Sequence, residues 1–414
     1  MSSNLPIPRR TLLSGLAKAV AKMFGYRSYD LTLFRNLKRP EWIYRDYAAL
    51  PKLTEKFSQN KNPDEADLEL CHRLIAAFRS GVEEQKNPDA SAIWSTIINR
   101  EWTDILNAVQ ASDAAKLAIL LNSMFTMPFL NGISTGSLAK KSTRHARNRI
   151  WRARCLDDLV SLAESLGVIR THCPEQGDTI FALRQGAEPL VDAIEVKLQI
   201  NVGFPEIGGA YGFDIKGRLI TPESLEHIYA AFRASNAANI CFSDGSKLKV
   251  VEIGAGYGGT AYWFTKLNRF DIEAYTIIDL PTTNILQGYF LAKAFGVENV
   301  RLQGETDLGQ KFCICPSTTY AKTVTTDFDL FINENSMPEM PENVVLDYLD
   351  WARLRTKGGV FFSYNQEAYS PFHTFVQPLV PELVRKFPEY NMKFRNASWL
   401  RRGYVEETYT IAEF

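Results

Sequence analysis

A run of glycines directly after an apolar, β-branched segment constrains this chain more than any other feature. Val251-Glu252-Ile253-Gly254-Ala255-Gly256-Tyr257-Gly258-Gly259 closes a strand-like stretch (248–253) and opens a helical pattern. Glycine lets a backbone turn sharply and approach a ligand without a Cβ clash. The following helix presents free N–H groups and a partial positive charge to whatever lies in the turn. Strand, glycine turn and helix in this order belong to an α/β fold, with a parallel sheet covered by helices.

The chain beyond the turn keeps that alternation. Further strands are expected over 272–278, 300–302, 328–332 and 360–364. Helices are expected from Pro281 to Gly296 and over 341–356, the second stopped by Gly358-Gly359. Two last strand-like runs, 393–399 and 404–413, flank Leu400-Arg401-Arg402-Gly403, which reads as a hairpin. The predicted fold is therefore α/β: a Rossmann-like, mostly parallel sheet ending in an antiparallel hairpin. Residues 1–200 read differently, mainly as helices (64–80, 92–110, 114–127, 156–166) with apolar residues three and four apart. The Gly- and Pro-rich stretch 203–222 reads as a connecting loop, and Pro222 as the start of another helix. Two domains are expected: a helical one over 1–200, for acceptor binding or oligomerisation, and a cofactor domain over 201–414.

Two cofactors compete for the glycine turn. Gly254, Gly256 and Gly259 satisfy the dinucleotide pattern GxGxxG. Gly254, Gly256 and Gly258 satisfy the GxGxG of S-adenosylmethionine enzymes, and Glu252, two residues before the first glycine, favours that cofactor. Asp279 ends the second strand, where an acid can hold both hydroxyls of a ribose. A dinucleotide domain usually continues into a second βαβαβ half, whereas this sheet is expected to end in a hairpin. The cofactor set is Glu252, Gly254, Gly256, Tyr257, Gly258, Asp279, Leu280 and Asn333, with S-adenosyl-L-methionine as ligand.

Val251–Gly259, Ile277-Ile278-Asp279-Leu280-Pro281 and Asn335-Ser336-Met337-Pro338-Glu339-Met340 together resemble the sugar O-methyltransferase family. Asp113–Leu117, Asn122–Phe125 and the 205–211 loop add a weaker likeness, so the resemblance spans most of 90–414. It implies a class I, Rossmann-like methyltransferase that methylates a sugar hydroxyl, on a nucleotide-linked sugar, glycan or glycosylated metabolite. The family is often found in bacterial surface-polysaccharide gene clusters. The alternatives are a methyltransferase of a non-sugar metabolite and a non-catalytic binding protein of the same fold.

A sugar hydroxyl is barely acidic, so a base should take its proton as the new bond forms. Candidates are Glu334 and Glu339 after the fourth strand and His373 after the fifth. Tyr211, Asn335, Ser336, Asn365, Glu367 and Arg147 are the candidate acceptor-binding residues. A divalent metal could acidify the hydroxyl instead. It is not favoured, because Asp327 and Asp329 fall at the wrong end of their strand.

Lys140, Lys141, Arg144, Arg147, Arg149, Arg152 and Arg154 follow one another with no acid between them. With 47 Lys+Arg against 47 Asp+Glu the chain is neutral overall. Nucleic-acid binding is therefore not expected. A solvated or oligomer-facing helix, or phosphate recognition, remains for this run. The six cysteines lack zinc-ligand spacing. Leu12, Leu13, Leu16, Val20, Met23 and Phe24, interrupted by Lys18 and Lys22, fit an amphipathic helix rather than a signal peptide. Weak peripheral membrane contact is a secondary use of that helix. No integral membrane segment is expected, and the location is expected to be cytoplasmic.

Overall fold

The computed structural model describes residues 12–58, 62–83, 92–367, 371–372 and 375–413. Three short strands, β1 (Thr54–Phe57), β2 (Tyr211–Ile215) and β3 (Arg218–Ile220), form an antiparallel sheet in that order. The main sheet begins with β4 (Lys247–Ile253), β5 (Asp271–Asp279), β6 (Val300–Arg301), β7 (Phe312–Pro316), β8 (Leu330–Glu334) and β9 (Val360–Gln366). A separate short hairpin pairs β10 (Pro371–Phe372) with β11 (Phe375–Val376). β12 (Tyr390–Ala397) and β13 (Tyr404–Ile411) complete an eight-stranded sheet of order β12-β13-β9-β8-β4-β5-β7-β6. β4 through β9 run parallel, while β13 lies antiparallel to both β9 and β12. The expected Rossmann-like sheet with its terminal hairpin is what forms.

The central strands β8 and β9 are buried almost end to end because both faces are covered, and successive side chains point to opposite faces, whereas the edge strand β12 is exposed along most of its length. Val250, Ile277, Ile332 and Phe362 join the core shared with the helices Pro222–Ala238, Gly259–Leu267 and Pro281–Phe295. Val251, Ile278, Phe331 and Phe361 join the core under Glu342–Arg355 and Val380–Val384. Phe331 and Phe361 stack across adjacent strands, with ring centroids 4.3 Å apart.

Residues early in the chain pack directly on the later sheet. Phe125 meets Tyr257 at 4.8 Å between ring centroids. Arg73 pairs with Glu305 and Lys293 with Asp67, each at 2.7 Å. β1, from the early part, hydrogen-bonds along β2.

Several sequence expectations need correction. The 203–222 stretch is not all loop, since it supplies β2 and β3. Its glycines hid a buried strand: a Cβ on Gly212 would overlap the Ile220 carbonyl of the neighbouring strand. The short strand expected at 300–302 forms as the edge β6, but β7, which lies between it and β5, was not expected. The helix expected over 92–110 is two, Ala92–Glu101 and Thr103–Gln110, broken at fully buried Trp102. The helix expected over 114–127 stops at Leu121 and continues as short 3₁₀ turns.

The helix Leu12–Met23 forms as expected, with Met23 exposed at its end. Among the described residues, no helix is long and apolar enough to cross a membrane.

Candidate active site

The glycine turn sits at the carboxyl end of β4. β5 lies on one side of this strand and β8 and β9 on the other. Ligands of open α/β sheets bind outside the carboxyl ends of the strands, at such a switch in strand order. A cavity of about 220 Å³ opens there. Gly254, at φ +74°, takes a left-handed conformation that other residues resist, and a Cβ on it would overlap the Ser336 side chain. Gly256, at φ +58°, also lines the cavity.

On the β5 side, Ile278, Asp279, Leu280, Thr283 and Ser317 form the wall. Asp279 is oriented by Leu280 N–H at 2.7 Å and by Gln287 Nε2 at 2.6 Å. The same Gln287 amide donates to the Gly256 carbonyl at 3.0 Å, tying turn and carboxylate together. Burial pushes Asp279 up to about 6, against the downward pull of these donors. Glu252 is fully buried beneath the turn and accepts a hydrogen bond from Tyr275 Oη at 2.7 Å. Burial raises it to about 7.

The opposite side is built on the helix Pro222–Ala238. Thr221 Oγ1 accepts from Ser224 N–H at 2.9 Å and Ser224 Oγ from Thr221 N–H at 3.2 Å, a capping box followed by Pro222 in the first turn. Such a cap holds the helix start firmly, at about 1 kcal/mol. Glu223, Glu226 and His227, at i, i+3 and i+4, share one helix face, and that face lines the cavity. Arg401 Nη1 donates to Glu226 Oε1 at 2.6 Å, and Asn335 Nδ2 approaches the same oxygen at 3.2 Å. Burial alone would raise Glu226, but Arg401 and His227 hold it below the usual carboxylate range. His227 Nδ1 lies 3.1 Å from the Tyr257 hydroxyl, and burial lowers the imidazole to about 4, so it is neutral near pH 7.

Glu334 ends β8, buried, with Thr260 Oγ–H donating to its Oε2. Burial first, and then Glu226, push it well above the usual range. Glu339 accepts from Trp94 Nε1 at 2.9 Å, and burial raises it to about 7. Met340, Val344 and Tyr348 complete an apolar wall.

Of the residues singled out by sequence, Glu252, Gly254, Gly256, Asp279, Leu280, Glu334, Asn335, Ser336 and Glu339 line this one cavity. Others do not. Asn333 is fully buried beneath it, donating to the Ile253 carbonyl at 2.9 Å and to Ser336 Oγ at 2.6 Å. Asn365 in turn donates to Asn333 Oδ1 at 2.8 Å. Both brace the loop that carries Ser336. Tyr257 is buried among Phe125, Phe290 and His227. Gly258 packs against Leu291. Tyr211 is buried against Trp151 and Phe57. Glu367 is paired with Arg395 at 2.7 Å. His373 lies outside the described residues.

From Arg147 on, the basic run is not a free patch, whereas Lys140, Lys141 and Arg144 are exposed. Arg147 meets Glu55 at 3.3 Å and does not line the cavity. Arg149 donates to the Ile43 carbonyl and Arg152 lies 4.1 Å over the Tyr47 ring. Arg154 is buried against Asp158. The partners of Arg147, Arg149 and Arg152 come from other segments of the chain, whereas Asp158 lies one turn along the same helix as Arg154.

Sequence reasoning missed Trp94, Glu223, Glu226, His227, Arg401 and Tyr404. The signal existed for three of them: Pro222-Glu-Ser-Leu-Glu-His places two acids and a histidine on one helix face.

The chain matches no family model and no curated protein. Among solved structures it is similar to the N-methyltransferase NodS from Bradyrhizobium japonicum WM9 in complex with S-adenosyl-L-homocysteine, at 11% identity over 44% of this chain and 86% of that one, TM-score 0.33. It is similar also to the glycopeptide N-methyltransferase MtfA complexed with sinefungin, at 14% identity over 44% and 94%, TM-score 0.33. A third is the O-methyltransferase from Bacillus cereus in complex with SAH, at 10% identity over 45% and 80%, TM-score 0.31. Likeness at this level assigns neither activity nor ligand to this chain.

Proposed function

We propose that the chain is an S-adenosylmethionine-dependent methyltransferase whose acceptor is a sugar hydroxyl. One observation carries the reading. The glycine turn after β4 opens on a cavity walled by Glu252 and Asp279, in a sheet whose antiparallel β13 lies between β9 and β12. The residues fit the cofactor. The two left-handed glycines leave a cradle that side chains would fill, Asp279 offers an oriented carboxylate for ribose hydroxyls, and Glu252 suits an ammonium group. The apolar wall of Ile278, Leu280, Met340 and Val344 suits a purine. Among the described residues, six carboxylates line the cavity (Glu223, Glu226, Glu252, Asp279, Glu334, Glu339) against the single guanidinium of Arg401, which Glu226 already occupies. That balance favours a cationic ligand.

When bound, the cofactor supplies an activated methyl on a good leaving group. The protein then has to hold the acceptor oxygen in line and receive its proton. Asn335, Glu226, Arg401 and Tyr404 offer donors and acceptors matched to a polyhydroxyl acceptor. Glu334 and Glu339 are carboxylates able to receive the proton. The same acidic wall argues against a phosphate or carboxylate at the reacting end. A nucleotide-linked or glycan acceptor would keep such groups outside the cavity.

Titration calorimetry with S-adenosylmethionine tests the cofactor assignment. Binding to the unaltered protein and none to Gly256→Val, with the fold intact by circular dichroism, is the expected result. Equal affinity in both would place the cofactor elsewhere. Methyl transfer to simple glycosides, set against amine acceptors, tests the acceptor class, and exclusive transfer to amines would overturn the sugar assignment.

A further inference from the structure

Glu334 stands out among the cavity carboxylates. It is only 6% exposed. Its Oε2 accepts from Thr260, while its Oε1 is buried with no hydrogen-bond partner. The groups that face it come from several elements: Glu226 on the helix Pro222–Ala238, Glu252 on β4, and Arg401 between β12 and β13. Tyr257, Tyr275, Tyr364 and Tyr404 surround it as well. Arg401, the one cation among them, is committed to Glu226 at 2.6 Å. Glu334 thus sits in a buried wall, opposite a carboxylate that keeps its charge, with no cation of its own. A carboxyl so placed takes a proton.

We propose that Glu334 is the group that reads the charge of the methyl donor: it holds a proton in the free protein, loses it to solvent when a sulfonium enters the cavity, and then receives the acceptor's proton. The inference rests on the methyltransferase reading above. A sulfonium carries a fixed positive charge, whereas the thioether left after transfer is neutral. During transfer the carbon–sulfur bond breaks with its electron pair going to sulfur, and a carbon–oxygen bond forms. The hydroxyl proton passes to the Glu334 carboxylate. The product complex therefore already holds the protonated Glu334 of the free protein, and the proton leaves when the next sulfonium binds. His227 is already neutral, so it has no proton to release when the sulfonium binds.

Calorimetric titrations in two buffers of different ionisation enthalpy, near neutral pH, count the protons released. S-adenosylmethionine should release close to one proton more than S-adenosylhomocysteine. Both ligands share the ribose and amino acid groups, so the contacts of those groups to Asp279 and Glu252 cancel in the difference, and the variants assign what the sulfonium charge adds. In Glu334→Gln, which mimics the protonated carboxyl, the difference should vanish while both ligands still bind. In Glu226→Gln, which removes the negative neighbour, it should shrink. An equal proton count for the two ligands overturns the proposal. So does a difference that persists in Glu334→Gln but disappears in Glu339→Gln. Failure of the unaltered protein to bind S-adenosylmethionine at all would instead sink the methyltransferase reading beneath it. Circular dichroism on each variant confirms that the fold compared is the same.

Discussion

Gly259 begins the helix after the glycine turn, and a Cβ placed there would lie 2.6 Å from His227 Nδ1, 2.7 Å from Cε1 and 2.8 Å from Cγ. Three ring atoms within that range cannot all be relieved by a rotamer change, because Cγ is one bond from Cβ. Gly259→Ala should therefore cost about 1–3 kcal/mol as overpacking. Against this, alanine in place of glycine in a helix gains about 0.5–1 kcal/mol. The net expectation is a loss of about 0–2.5 kcal/mol. In a His227→Ala background the ring is gone and only the gain remains, so the same change should stabilise by about 0.5–1 kcal/mol. The substitution reverses sign, and the coupling read from a double-mutant cycle is about 1–3 kcal/mol. Urea denaturation of the four proteins measures it. Gly259→Ala changing stability alike in both backgrounds would show that His227 does not pack on the glycine turn, and the cavity wall described here would be wrong.

Asp279→Asn should weaken S-adenosylmethionine binding by about 1.5–3 kcal/mol through loss of charge-assisted contacts to the ribose, measured by calorimetry. In the unaltered protein that affinity should fall as pH drops through about 6, where Asp279 gains a proton, and Asp279→Asn should remove this part of the dependence. Tyr275→Phe removes the donor that lowers Glu252, so Glu252 should rise further and titrate out of its charged form at higher pH. A binding profile that does not move to higher pH would refute the Glu252 role. Arg154→Met should destabilise by about 3–5 kcal/mol by leaving Asp158 buried and unpaired. Arg147→Met, which breaks a more exposed pair, should cost about 0–1 kcal/mol and leave cofactor affinity unchanged. Thermal or urea denaturation separates the two.

The parallel sheet was legible because its signals are local. A β-branched run, a glycine turn and a helix start sit within a dozen residues, and the same grammar repeats after Asp279 and Ile332. β7 escaped because Phe312–Pro316 is short and buried on both sides, so it shows no alternation. The β1–β2 pairing escaped because its partners, Thr54 and Asp214, lie far apart in sequence. Nothing near residue 54 announces a strand that only a distant edge can complete.

The site divides along the same line. Residues on the strand ends, such as Glu252, Asp279, Glu334 and Ser336, could be placed by counting strands, because the carboxyl ends of a parallel sheet converge on one region. Glu223, Glu226 and His227 were passed over: an acid in the first turn, such as Glu223, has an ordinary explanation, since it favours the positive end of the helix dipole. Their helix reaches the cavity only through packing against the strand ends. The basic run failed in the opposite way. Its seven cations look unopposed when read along the chain, yet Arg147 is answered by Glu55, Arg149 by the Ile43 carbonyl and Arg152 by the Tyr47 ring. A charge pattern read along a sequence locates charge but not its neighbours. In this protein the neighbours decide which arginines are structural and which carboxylates are left, like Glu334, with a buried oxygen and no partner.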